Sequence, residues 1–131
     1  MSLRDEFGMS ILLITHDIGV VAEMADRVVV MYAGQCVETA GTKELLENPA
    51  HPYTQALLSA VPGVKDDKSR RLYSIPGAVP ENYPELTGCR FAERCPYAEK
   101  CAAQGEPART QDGREVRCDQ AAAEERRAYG A

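Results

Sequence analysis

Ser10-Ile11-Leu12-Leu13-Ile14-Thr15-His16-Asp17 leads through a helix-period segment to Val28-Val29-Val30-Met31-Tyr32, and the reading of this stretch decides the fold. The first apolar run is continuous, not alternating, which predicts a strand buried on both faces. Thr15-His16-Asp17 supplies turn and N-cap chemistry. Ile18, Val21, Ala22 and Ala25 then recur at helical spacing, and the second apolar run predicts another strand. Strand, helix and strand in that order form a βαβ pattern, which predicts parallel neighbours.

Working outward, Ala33-Gly34-Gln35 predicts a tight turn into Cys36-Val37-Glu38-Thr39, hence a hairpin, with Cys36 as a small core residue. Thr42 is placed to cap a short helix over 43–47 that stops at Asn48-Pro49. A further helix is predicted from Pro52, where a missing N–H costs little, with Tyr53, Ala56, Leu57 and Ala60 as its buried stripe. His51, just before it, is read as a local cap or packing residue. Sixty residues are few to cover both faces of two parallel strands. The N-terminal region therefore reads as the end of a larger α/β domain, or as a piece that associates through its strands.

The 131 residues carry 15 basic and 20 acidic groups, for a formal charge of -5. That balance argues against a general nucleic-acid binder. No run approaches the length of a transmembrane helix, and the start lacks a signal-peptide pattern, so a cytoplasmic location is expected. The charge is unevenly spread: residues 1–61 hold three basic and eight acidic groups, while residues 62–131 hold twelve of each. The expected division is an α/β remnant over 1–61 and a Pro-, Gly- and charge-rich extension over 62–131. A polar linker is expected over 62–71, and a helical but frayed end over 120–131.

The extension contains Cys89, Cys95, Cys101 and Cys118, spaced C-x5-C-x5-C-x16-C. Four cysteines in a cytoplasmic protein point to metal ligation rather than disulfides. Zinc sites usually contain C-x2–4-C knuckles, and no gap here is that short. The wider gaps favour an iron–sulfur cluster, with zinc and metal-free thiols as alternatives. Arg90, Arg94, Lys100 and Arg117 are close in sequence and could offset thiolate charge, or could be ordinary solvated cations. A metal would serve chiefly as a structural staple in a segment poor in large apolar side chains.

Several strings together resemble one family. Phe7-Gly8-Met9-Ser10-Ile11-Leu12-Leu13-Ile14-Thr15-His16-Asp17, Gly19 to Arg27, Val30-Met31-Tyr32-Ala33-Gly34-Gln35, and His51-Pro52-Tyr53-Thr54-Gln55-Ala56-Leu57-Leu58 look like the end of an ABC transporter ATPase domain. The last two strings, with Ile75-Pro76-Gly77-Ala78-Val79-Pro80 and the cysteine segment, are similar to the ATP-binding subunits of oligopeptide and dipeptide importers. The resemblance runs from about residue 3 to 118. Family members often have Pro where this chain has Leu86 and Glu93, which bears on turn rigidity more than on ligation.

The resemblance implies an α/β fragment from the end of a P-loop NTPase-type domain, followed by a small irregular four-cysteine extension. It implies that His16 is the switch histidine, contacting the γ-phosphate of ATP and helping to hold the attacking water. It also implies a [4Fe-4S] cluster on Cys89, Cys95, Cys101 and Cys118. The implied function is ATP-driven import of oligopeptides, dipeptides or a related solute such as nickel complexes. The implied partners are a second ATPase subunit, two membrane permeases and a solute-binding protein, at the inner face of the membrane. The pattern G-x-x-x-x-G-K-[ST], the signature Leu-Ser-Gly-Gly-Gln and a strand ending in Asp-Glu do not occur in the 131 residues. In the family they precede the switch His. The chain is thus expected to be truncated, to hydrolyse no ATP alone, and to leave ATP and Mg²⁺ to the full-length subunit. A free-standing four-cysteine metal module is the alternative reading.

Overall fold

The computed structural model describes residues 3–61, 75–86, 88–98, 109–111 and 113–118. In chain order these form α1 (Leu3–Phe7), α2 (Ile18–Met24), β1 (Arg27–Tyr32), β2 (Gln35–Gly41), α3 (Thr42–Glu47) and α4 (Pro52–Ser59). Two 3-10 turns (Tyr83–Glu85 and Ala92–Arg94) and the short strands β3 (Arg109–Gln111) and β4 (Arg114–Val116) follow. The sheet order is β1-β2-β4-β3, and every described pairing is antiparallel.

This corrects the parallel βαβ expectation. Residues 9–15 carry no regular structure. Ile11, Leu12, Leu13 and Ile14 are 59%, 88%, 44% and 90% exposed. A doubly buried strand needs partners on both edges for its N–H and C=O groups. Among the described residues no strand lies alongside this run, so its apolar sequence is left uncovered. The α/β class stands, with the sheet built from hairpins.

The predicted hairpin forms. Tyr32 pairs with Gln35 across a two-residue turn in which Ala33 and Gly34 both have positive φ, 46° and 76°. Positive φ at both centres is the type I′ geometry that matches strand twist. The register shifts between Val30 and Met31, leaving Val37 as the extra residue on β2. Bulges re-aim side chains. Here Val37, Glu38, Thr39 and Ala40 are all buried while Cys36 is exposed, which corrects the expectation of a core Cys36.

Asp17 caps α2 as expected, its carboxylate accepting from the N–H groups of Gly19 at 2.9 Å and Val20 at 3.3 Å. Thr42 does not cap α3. Gly41 is the cap residue, and the Thr42 hydroxyl instead donates to the Ala25 carbonyl at 2.6 Å, tying α3 to the end of α2. Pro52 opens α4 as predicted. Its buried residues are Pro52, Thr54, Ala56 and Leu58. Ala60 is exposed and Tyr53 and Leu57 are half-buried, so only Ala56 of the expected stripe is fully buried. The helix is covered on more than one side, by the sheet and by the segment around Phe91.

Two apolar clusters result. Ala40, Leu45 and Leu58 pack with Ile18, Val28, Val30 and Leu46. Tyr32, Val37 and Phe91 pack with Tyr53, Ile75, Cys89 and Cys95, among others. The second cluster is aromatic: ring centroids lie 4.7 Å apart for Tyr32–Tyr53, 5.1 Å for Tyr32–Phe91 and 5.5 Å for Tyr53–Phe91. Such tilted and edge-on pairs add to area burial. Phe91 brings the cysteine segment onto the hairpin.

Candidate functional site

His16 lies in the turn that feeds α2. Its neighbours are tied down: the Asp17 N–H donates to the Thr15 hydroxyl at 3.0 Å, and Asp17 caps the helix. His16 itself is exposed and belongs to neither apolar cluster. Its imidazole is thus presented to solvent from a fixed backbone, at the end of the uncovered apolar run.

The cysteines lie elsewhere. Cys89 and Cys95 are half-buried against the Tyr32, Val37 and Phe91 cluster. The turn between them is closed by Ala92 N–H to Cys89 O at 3.1 Å and Cys95 N–H to Ala92 O at 3.3 Å. The Cys95 sulfur accepts from the Tyr97 N–H at 3.4 Å. Cys118 follows Arg117, whose N–H donates to the Val37 carbonyl at 2.8 Å. The bulged residue thus meets Phe91 through its side chain and the Cys118 segment through its backbone. Cys101, the linker over 62–71 and the end over 120–131 lie outside the described residues. None of Cys36, Cys89, Cys95 and Cys118 is in a disulfide. Among the described residues, no three Cys, His, Asp or Glu side chains are grouped to hold a metal ion.

The arginines near the cysteines have structural partners. Arg90 donates to the Ala33 carbonyl at 2.7 Å, securing the hairpin turn. Arg94 donates to Pro76 O at 2.8 Å and to the Tyr32 hydroxyl at 3.3 Å, and its guanidinium stands 5.9 Å from the Tyr32 ring centroid. Arg117 donates through Nε to Cys36 O at 3.3 Å. These bonds sew the extension to the hairpin.

One fully buried carboxylate is a residue that sequence reading did not single out. The Glu38 side chain has no exposed surface. Its oxygens accept the backbone N–H groups of Ala50 and His51, both at 2.9 Å. Arg114 approaches it at 3.6 Å and also pairs with Glu44 at 2.9 Å and donates to Asn48 O at 2.7 Å. A charged residue within a strand between Val37 and Ala40 was the available signal for Glu38. Arg114, in a polar stretch far along the chain, offered none.

His51 caps α4 as expected, its Nδ1 accepting from the Tyr53 N–H at 3.0 Å. It is 1% exposed and its ring centroid is 5.8 Å from that of Phe91. Burial lowers its pKa to about 4, opposed by a hydrogen bond with the Arg117 backbone. Burial and the nearby Tyr32 raise the Tyr53 phenol, while Arg94 pulls the other way. A neutral, buried, doubly engaged imidazole is a structural element of the fold.

Residues 37–101 match the family model described as the oligopeptide/dipeptide transporter, C-terminal region. A Brucella melitensis protein named for peptide import and ATP binding is 48% identical over 118 residues, 89% of this chain and 35% of the relative. The dipeptide transport ATP-binding protein DppD of Escherichia coli (strain K12) is 47% identical over 121 residues, 90% of this chain and 36% of the relative. DppD of Haemophilus influenzae is 47% identical over 119 residues, again 90% of this chain and 36% of the relative. The chain spans about a third of the length of these curated relatives. Its sequence is therefore similar, over about nine tenths of its length, to part of the peptide and dipeptide transport ATP-binding proteins, and over residues 37–101 to their C-terminal region.

Proposed function

We propose that this chain acts as the C-terminal part of an ATP-binding subunit that energises import of peptides. The observation that carries the reading is the 47–48% identity, over about nine tenths of the chain, to proteins named for peptide or dipeptide transport. The exposed run over 11–14 supports it. This is a sequence suited to a strand inside a sheet, and the rest of an ATPase domain would supply its neighbours. Such a subunit pairs with a second ATPase subunit, two permeases and a solute-binding protein, peripherally at the cytoplasmic face. No described helix is long and apolar enough to cross a membrane.

In that setting His16 stands at the end of the completed strand, where α/β sheets bind ligands. Its role is to donate to the γ-phosphate of ATP and to orient the attacking water. Asp17 and Thr15 act as positioning residues by fixing the turn. A chimera tests this: the matching region of a dipeptide transport ATP-binding protein is replaced by this chain, and peptide-dependent ATP turnover is measured. Turnover is expected to persist, and His16→Ala is expected to lower it at least about a hundredfold with ATP affinity retained. Equal turnover with and without His16 overturns the assignment.

The second part of the reading is a [4Fe-4S] cluster on Cys89, Cys95, Cys101 and Cys118, with zinc as the alternative. An all-thiolate donor set suits either. The three described cysteines of this set form no disulfide, and they are not grouped as a metal site. A cluster requires them to close on one another together with Cys101. Its chemistry would be to staple the extension. Anaerobic purification with iron and sulfide near about four per chain supports it. Zinc alone, or no metal, overturns it.

A further inference from the structure

The corner between α3 and α4, residues 48–51, is tied to its own helices by Asn48 N–H to Glu44 O at 2.9 Å, by Tyr53 N–H to His51 Nδ1 at 3.0 Å, and by Gln55, whose backbone N–H donates to His51 O at 3.0 Å and whose amide donates to Pro49 O at 3.1 Å and Ala50 O at 3.5 Å. Its other polar partners lie far away in sequence. Ala50 and His51 donate to Glu38 in β2. Asn48 O, the end of α3, accepts from Arg114. His51 hydrogen-bonds the Arg117 backbone. Arg114 and Arg117 both belong to the β3–β4 hairpin and its exit, so the corner rests on that segment.

The hairpin is in turn held by little. Its ladder to β2 consists of Glu38 opposite Val116 and Thr39 opposite Glu115. Beyond that it has the Arg117 bonds to Val37 and Cys36, the buried Val116, and Arg114. Arg114 is 7% exposed and meets Glu38, Glu44 and Asn48 together. Arg114 is also the cation that faces the Glu38 carboxylate, at 3.6 Å. A buried carboxylate without its cation is costly, so unseating the hairpin removes the reason for Glu38 to stay oriented toward the corner.

We propose that β3 and β4, with Arg117 and Cys118, form a strap whose seating and the order of the 48–51 corner are one cooperative event. The strap opens and closes as a unit below the global unfolding limit. Whatever holds the strap down tightens the start of α4, and by linkage whatever orders the corner favours the seated strap.

Gly113 offers a remote handle. It lies just before β4 at φ 80°, and a Cβ added there meets nothing within 4 Å. Gly113→Ala therefore strains the strap's turn without touching the corner. Residue-resolved amide exchange on the 131-residue chain reads the result. The amides of Arg117, Ala50 and His51 are expected to exchange faster together, by about fivefold, while the Ala25 amide, which caps the end of α2 by donating to Val21 O, is unchanged. Gly113→Asn, which tolerates left-handed backbone, is expected to return all three toward the parent rate. Acceleration of Arg117 without Ala50 and His51 overturns the proposal. So does equal acceleration of all amides including Ala25, which would make the strap no separate unit. If Gly113→Ala does not fold, Val116→Ala, whose register partners are Glu38 in β2 and Arg109 in β3, gives the same comparison.

Discussion

Glu38 accepts the His51 backbone N–H at 2.9 Å, so a strand carboxylate with no exposed surface fixes the residue that starts α4. Glu38→Gln keeps the volume but turns an amide N–H₂ toward backbone donors and leaves Arg114 without its buried partner. The expected loss is about 3 kcal/mol in urea unfolding. A loss below about 1 kcal/mol would show that the carboxylate charge is not needed there.

His51 makes stability depend on pH. Its folded pKa is about 4, below the ordinary 6.5, so the unfolded chain binds its proton first. The contribution is fully present above pH 6.5 and is lost as pH falls from there to about 4. Over that window the loss is on the order of 3 kcal/mol. The Glu38 carboxylate accepts its backbone N–H, Arg114 pairs with that carboxylate, and Arg117 meets the imidazole through its backbone. His51→Asn keeps a capping side chain and is expected to flatten the slope in unfolding measured between pH 7 and 4.5, at lower overall stability.

Phe91 is 1% exposed and meets Tyr32, Tyr53 and His51. Phe91→Ala is expected to cost about 3–5 kcal/mol and to collapse the near-ultraviolet tyrosine dichroism. A retained tyrosine signal would mean the aromatic cluster forms without the cysteine segment.

The turn can be improved. Ala33 holds φ 46°, unfavourable for a residue with a Cβ. Ala33→Asn, which gives the Asn-Gly pair favoured in type I′ turns, is expected to raise stability by about 0.5 kcal/mol. Gly34→Ala is expected to lower it by about 1 kcal/mol. Thermal melts of the two variants should shift in opposite directions.

Leu12 and Ile14 are 88% and 90% exposed. Leu12→Lys with Ile14→Lys is expected to change unfolding free energy by no more than about 0.5 kcal/mol per site. The same pair is expected to reduce self-association of the isolated chain, read by light scattering, because it breaks an uncovered apolar strip. Increased association would refute that role.

Local chemistry was legible in the sequence. Asp17 as a cap, Gly34 in a turn and Pro52 at a helix start are short-range signals, and each holds in the fold. Residues 10–14 have a strand's composition but form no strand here, because apolar composition reports a preference for burial, and burial also needs neighbours. Cys36 was misplaced by a one-residue bulge, which composition does not encode. Glu38 and Arg114 were missed because their meaning arises only when β4 is laid beside β2.

That pairing has a consequence for synthesis. Arg114 leaves the ribosome seventy-six residues after Glu38. At common translation rates the interval is roughly 4–15 s. Once residue 59 has followed, the nascent hairpin β1–β2 and helix α4 exist for the rest of that interval without the cation that their buried carboxylate requires, and closing a loop of that length costs about 4 kcal/mol. The β1–β2 hairpin is therefore expected to emerge soft and to become firm only when the last strands arrive, so a chain stopped short of Arg114 is a ready substrate for proteolysis.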